Sequence, residues 1–95
     1  MLEKQIEDKV CQYARSKNIL AYKFTSPARM GVPDRMFVAP LGRVFFIEFK
    51  REGGRVTPAQ EREHTRLIAH GCEVHVVDNV LDGYEVVDRY AGEQQ

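Results

Sequence analysis

Apolar residues near the start of the chain recur at three- and four-residue spacing: Leu2, Ile6, Val10, Tyr13 and Ala14. That period predicts an amphipathic helix over residues 2–16, with Asn18 as its stop. The pattern then changes. Ile19, Leu20, Ala21, Tyr22 and Phe24 suit a strand, and residues 25–33, with Pro27, Gly31 and Pro33, read as a loop. Residues 34–39 make a second short strand, Pro40-Leu41-Gly42 a turn, and residues 43–50 a third strand rich in aromatic and branched side chains. Val44-Phe45-Phe46-Ile47 is apolar at both parities, which predicts a central strand covered on both faces. Gly53-Gly54 closes it.

A second helix starts with a reciprocal capping arrangement: Thr57 as cap, Pro58 at the first helical position and Gln60 three residues after Thr57. It runs to about His70, where Gly71 can take the left-handed conformation. A fourth strand spans 73–77. Residues 81–90 predict a closing helix, with Gly83 an unfavourable helix former inside it. The order is α-β-β-β-α-β-α. Short connections make the first three strands antiparallel, while the helical crossover makes the third and fourth parallel with a right-handed connection. The expected class is α/β, a mixed sheet flanked by helices in a single domain, 1–95.

Length and composition narrow the function. A chain of 95 residues buries only about two-thirds of its unfolded surface, so a site has to be built on the core elements themselves. There is no apolar run of membrane-spanning length and no signal-like N-terminus, so the expectation is a cytoplasmic protein with no membrane partner. Cys11 and Cys72 form no CxxC pair, and His64, His70 and His75 lack zinc-finger spacing. The formal net charge is zero, but residues 15–66 carry eleven Lys/Arg against five Asp/Glu, and residues 67–95 one Arg against six acids. A basic middle beside an acidic tail suits a phosphate-facing surface on one side of a neutral protein.

The candidate chemistry lies in the second and third strands. Side chains alternate along a strand, so Glu48 and Lys50 share a face. If Pro40-Leu41-Gly42 is a three-residue turn with Gly42 left-handed, Ala39 opposes Arg43, and the same register puts Asp34 directly across from Glu48, about 5 Å apart at Cβ. Two carboxylates so placed repel each other unless a hard divalent cation sits between them. Mg²⁺ fits, because it takes oxygen ligands, needs only one or two carboxylates and retains waters. A cation there serves phosphodiester chemistry, with Lys50 to orient a water and offset phosphate charge. Taken singly these residues have ordinary explanations: a surface ion pair for Glu48 and Lys50, a turn acid for Asp34, a capping partner for Gln60. Their convergence on neighbouring elements, in an otherwise apolar strand, is what points to a site.

Gly31-Val32-Pro33-Asp34-Arg35, then Phe46-Ile47-Glu48-Phe49-Lys50, Gly53 or Gly54, Thr57-Pro58-x-Gln60, Leu67 and Gly71 together resemble the VRR-Nuc family of the PD-(D/E)xK nuclease superfamily. The resemblance runs from about Glu3 to Val77. It implies a restriction-endonuclease-like fold and a Mg²⁺- or Mn²⁺-dependent deoxyribonuclease without an organic cofactor. Asp34 and Glu48 would ligate the metal with the backbone carbonyl of Phe49. Lys50 would be the catalytic lysine and Gln60 would join the site. Glu3 would be the acid of the first helix, with Glu7, one turn later, as the alternative. Small stand-alone members resemble Holliday-junction resolvases, so a homodimer acting on branched DNA in recombination or repair is implied, with Tyr84, Val87 and Tyr90 of the closing helix, or the first helix, at its interface. Backbone phosphates are expected to meet Arg29 and Ser26 in the loop and Lys23, Arg35, Arg51 and Arg55 around it.

Two other readings differ in kind. A non-catalytic binding module on the same fold, or one acting on flap or linear DNA, is the first; retention of Asp34, Glu48 and Lys50 argues against loss of catalysis. A hydrolase with a Ser or Cys nucleophile is the second. No GxSxG occurs, and Cys11 and His64 have no supporting motif.

Overall fold

A computed structural model describes residues 1–92; Glu93, part of the acidic tail counted above, lies outside them. The elements follow in the expected order: α1 (Glu3–Ser16), β1 (Leu20–Lys23), β2 (Arg35–Ala39), a short 3₁₀ turn (Pro40–Gly42), β3 (Arg43–Phe49), α2 (Pro58–Ala69), β4 (Val74–Val77) and α3 (Val80–Ala91). The sheet order is β1-β2-β3-β4, antiparallel except for the parallel β3–β4 pair. Among the described residues no helix is long and apolar enough to cross a membrane.

The hairpin register is the one that the three-residue turn requires. Ala39 pairs with Arg43 and Arg35 with Ile47, and both Leu41 and Gly42 adopt positive φ. The expected interior breaks also resolve. Asn18 takes the left-handed conformation after α1. Gly83 does not interrupt α3, because the helix needs it: a Cβ there would lie 2.4 Å from Val10, so glycine lets α1 and α3 pack closely. The cap of α3, Asn79, accepts from the Asp82 amide, a start signal beyond the 81–90 reading.

Strand alternation sorts the side chains into two unlike faces. Phe37, Ala39, Phe45, Ile47, Phe49 and Val77 face α1 and α3, where they pack with Ile6, Val10, Cys11, Ala14, Val86, Val87 and Tyr90 in one buried core. Phe45 stacks between Phe37 and Tyr90. The other face carries Leu20, Tyr22, Val44, Phe46 and Glu48, with α2 alone above it. As expected, β3 is covered on both faces from Phe45 to Phe49, and only its start is open, at Val44 (41% exposed); on β1 Leu20 (52%) and Tyr22 (49%) are open as well, because one helix cannot cover four strands. Val87 and Tyr90 are fully committed to the core, and Tyr84 stacks on Tyr13. Val87 and Tyr90 are thus used within the chain, while Leu81 of the same helix is 78% exposed.

Candidate active site

Asp34 sits one residue ahead of β2, and its position is fixed by its neighbours. Pro33 is buried, and Gly31 adopts φ +84° in a place where a Cβ would lie 2.5 Å from the Ala59 carbonyl oxygen. Only glycine lets the loop press so closely against the first turn of α2. The Asp34 carbonyl accepts from the Phe24 amide at 3.0 Å, and its Oδ2 accepts from the Phe49 amide at 2.8 Å. The carboxylate is thereby pinned beside the end of β3. One step beyond the Arg35–Ile47 pair, the register sets Asp34 opposite Glu48.

Glu48 is 2% exposed, a carboxyl group in a strand otherwise made of aromatic and branched residues. Lys50 Nζ lies 3.7 Å from its Oε2. Gln60 Nε2 donates to the same oxygen at 3.1 Å. Burial pushes the Glu48 carboxyl up to about 8, the facing Asp34 charge adds to the rise, and Lys50 counters it.

Gln60 has two roles at once. Its Oε1 accepts from the Thr57 amide at 2.9 Å while the Thr57 hydroxyl accepts from the Gln60 amide at 3.1 Å. Because the carbonyl end of the side chain is used in the cap, the NH₂ end faces Glu48. Helix initiation and site geometry share one amide.

The remaining expected residues divide by location. Glu3 is exposed and lines a cleft of about 420 Å³ with Leu2, Lys50, Arg51, Gly54 and Arg55; its charge also reaches Glu48. Glu7 instead is buried on the core side, where Arg35 Nε donates to it at 2.6 Å and Lys23 Nζ lies 3.5 Å away. That arrangement favours Glu3 over Glu7 as the helix-one acid near the site. It also turns Arg35 to the sheet face away from Glu48, so Arg35 ties β2 to α1. Arg29 reaches Glu63 at 3.6 Å. Arg51 and Arg55 border the cleft beside Lys50, and Ser26 accepts the Arg29 amide through its carbonyl at 3.4 Å.

Three residues nearby were not anticipated. Arg62 and Arg66 are four apart on α2 and, with Arg29, line a second cleft of about 320 Å³; their i, i+4 spacing was the available signal. His64 is buried with Nε2 3.8 Å from Glu48 Oε1. Burial and nearby Lys50 hold its imidazole below the usual histidine range, which favours the neutral ring. Neither zinc-ligand spacing nor a nucleophile motif marks it in the sequence.

The donor set fits a hard divalent cation better than a soft one. Among the described residues no group of three or more His, Cys, Asp and Glu forms a ready cage, but Glu48 Oε1 is buried without a hydrogen-bond partner. Two carboxylates, one of them with an unpartnered oxygen, leave the rest of a coordination shell to water, as Mg²⁺ prefers.

Comparison with known proteins agrees with this architecture. The family model described as the VRR-NUC domain matches residues 3–80. The chain is 46% identical over 77 residues to a protein of Acyrthosiphon pisum secondary endosymbiont phage 1 named "Putative nuclease p44", covering 81% of this chain and 83% of that one. A solved structure described as "VRR_NUC domain" superposes with a TM-score of 0.85 at 27% identity, covering 93% of this chain and 96% of the other. With its mixed sheet, its helices and its paired acids in place, the chain belongs to the VRR-NUC domain family and is a nuclease domain.

Proposed function

We propose that this chain is an endonuclease that hydrolyses DNA phosphodiester bonds with a divalent cation, Mg²⁺ or Mn²⁺, held by Asp34, Glu48 and the Phe49 carbonyl. The observation that carries the reading is the opposition of Asp34 and buried Glu48 across the β2–β3 hairpin, with Lys50 3.7 Å from Glu48. A bound cation would polarise a phosphoryl oxygen and make the attacking water more acidic. Asp34, held by the Phe49 amide, and Glu48, held by Gln60, supply oxygens already set close together, and a cation would favour the ionised form of the raised Glu48 carboxyl. Lys50 orients the attacking water and offsets charge as it gathers on the phosphate. Glu3 lines the same cleft as Lys50, where it can accept a hydrogen bond from that water. Arg51 and Arg55, together with Arg29, hold backbone phosphates, which fixes register without reading sequence.

Structure-selective cutting of branched DNA by a homodimer is the finer form of the proposal. A four-way junction requires two symmetric cuts, which a twofold assembly supplies. Among the exposed apolar side chains, Leu20, Tyr22 and Val44 lie together on the open part of the sheet, Leu20 and Val44 flanking Val38 in one cross-strand row, and offer a surface for a subunit contact. Branched, flap and linear DNA, each incubated with Mg²⁺ or with chelator and with wild type or Asp34→Ala, test the reading. Cutting of the branched substrate that needs the metal and Asp34 is expected. Cutting that resists chelator, or that Asp34→Ala leaves undiminished, refutes the mechanism, and a preference for flap or linear DNA refutes the junction selectivity. Sedimentation of a monomer at high micromolar concentration refutes the dimer.

A further inference from the structure

His64 has no part in the chemistry set out above, yet the fold aims it at the centre of the site. It lies one helical turn beyond Gln60 on the same side of α2, since residues four apart stack along a helix. Its Nε2 is buried with no hydrogen-bond partner, and so is Glu48 Oε1, 3.8 Å away. Buried polar atoms are rarely left unpaired, and an orphan of each kind, facing the other, is a hydrogen bond not yet closed. A movement of under about 1 Å brings the pair into range. The partner oxygen, Oε2, already accepts from Gln60.

We propose that His64 is a positioning residue for Glu48: with its proton on Nε2 it donates to Oε1 as Gln60 donates to Oε2, so that two donors one turn apart on α2 fix both oxygens of the carboxylate. Each carboxylate oxygen accepts more than one partner, so a lone pair stays available on each for a cation. The terminal torsion of a glutamate is soft, and without a second donor the carboxylate can rotate about it. His64 thus acts through orientation and touches neither substrate nor metal. The inference rests on reading Glu48 as the central carboxylate of the nuclease site, although the hydrogen bond itself does not.

The test has two parts. The histidine ¹⁵N spectrum of the metal-free wild-type chain, recorded above pH 8 so that Glu48 is ionised, is expected to show His64 as the Nε2–H tautomer; the Nδ1–H tautomer overturns the proposal, because Nε2 then has no proton to give. Turnover of DNA with Mg²⁺ is then compared for His64→Gln, which keeps a side-chain NH donor, and His64→Phe, which keeps a flat ring without one. The Phe variant is expected to lose about 10- to 100-fold in kcat with KM unchanged, as other supports of metal-site carboxylates do, while the Gln variant recovers most of it. Equal activity of both variants, whether both match wild type or both are lost, overturns the role, and thermal melts of each identify a loss that comes from unfolding. Complete loss of Mn²⁺ binding by calorimetry in both variants makes His64 a ligand and overturns it too. If wild type fails to cut with Mg²⁺, the nuclease reading fails while the tautomer still decides the hydrogen bond.

Discussion

The two faces of the sheet are built from the same four strands and opposite chemistry. Toward α1 and α3 the inward side chains are mostly aromatic and branched, and the one acid buried there, Glu7, is paired with Arg35 at 2.6 Å. Toward α2 the strands present Asp34 and Glu48 beside an imidazole and an amide, under a single helix, with Leu20, Tyr22 and Val44 left open. One face holds the chain together. The other holds groups in arrangements that cost stability, and it depends on the first face for its rigidity.

That contrast predicts separable responses. The largest is at Glu48: Glu48→Gln should lower DNA cutting by about 10³-fold or more while the melting temperature of the metal-free chain stays level or rises, because a buried acid has been replaced by a neutral isostere whose oxygen can still accept from Gln60. A nuclease assay beside calorimetric melts checks both, and a large fall in stability would break the contrast. Phe45→Ala is the opposite case. Removing the ring that stacks on Phe37 and Tyr90 should cost about 3–5 kcal/mol, seen as a shift in the denaturation midpoint.

The pH dependence comes next. The Glu48 carboxyl, near 4.5 when unfolded, stands at about 8 in the folded chain. A raised folded value means that the native state holds a proton the unfolded state has released. Its contribution is therefore fully present below pH 4.5 and is lost as pH rises through about 8. Urea titrations of the metal-free chain should show stability declining across that window, by roughly 3 kcal/mol or less. Glu48→Gln should flatten the decline and Mg²⁺ should offset it at the alkaline end; an unchanged slope in the variant would assign the effect elsewhere. Smaller effects separate the helix cap from the site. Thr57→Ala and Gln60→Ala should each cost about 1 kcal/mol of stability, but only Gln60→Ala frees Glu48 Oε2, so kinetics should set the two apart. The smallest is Arg55→Ala, which should weaken binding to all DNA sequences alike and reduce the salt slope by about 1, measured by titration at several ionic strengths.

Local signals carried much of this architecture into the letters. The turn Pro40-Leu41-Gly42 sets the hairpin register, and that register alone is enough to oppose Asp34 and Glu48. Thr57, Pro58 and Gln60 mark the start of α2 because capping is decided within one turn. What escaped depends on contacts between distant segments. Nothing local says that Arg35 turns toward Glu7, 28 residues earlier, or that Val87 and Tyr90 are used up by α1 and the sheet. His64 is visible as a histidine but not as a neighbour of Glu48, since the angle of α2 over β3 is a tertiary quantity.

Gln60 links the start of α2 and the Glu48 carboxyl through a single side chain, and that has a thermal consequence. Helix ends open before whole domains do. When the first turn of α2 frays on warming, the carbonyl end of the amide loses its anchor and the NH₂ end loses its aim. Cutting should therefore fade several degrees below the cooperative melt, giving the enzyme an operating ceiling set by one helical turn and not by its core.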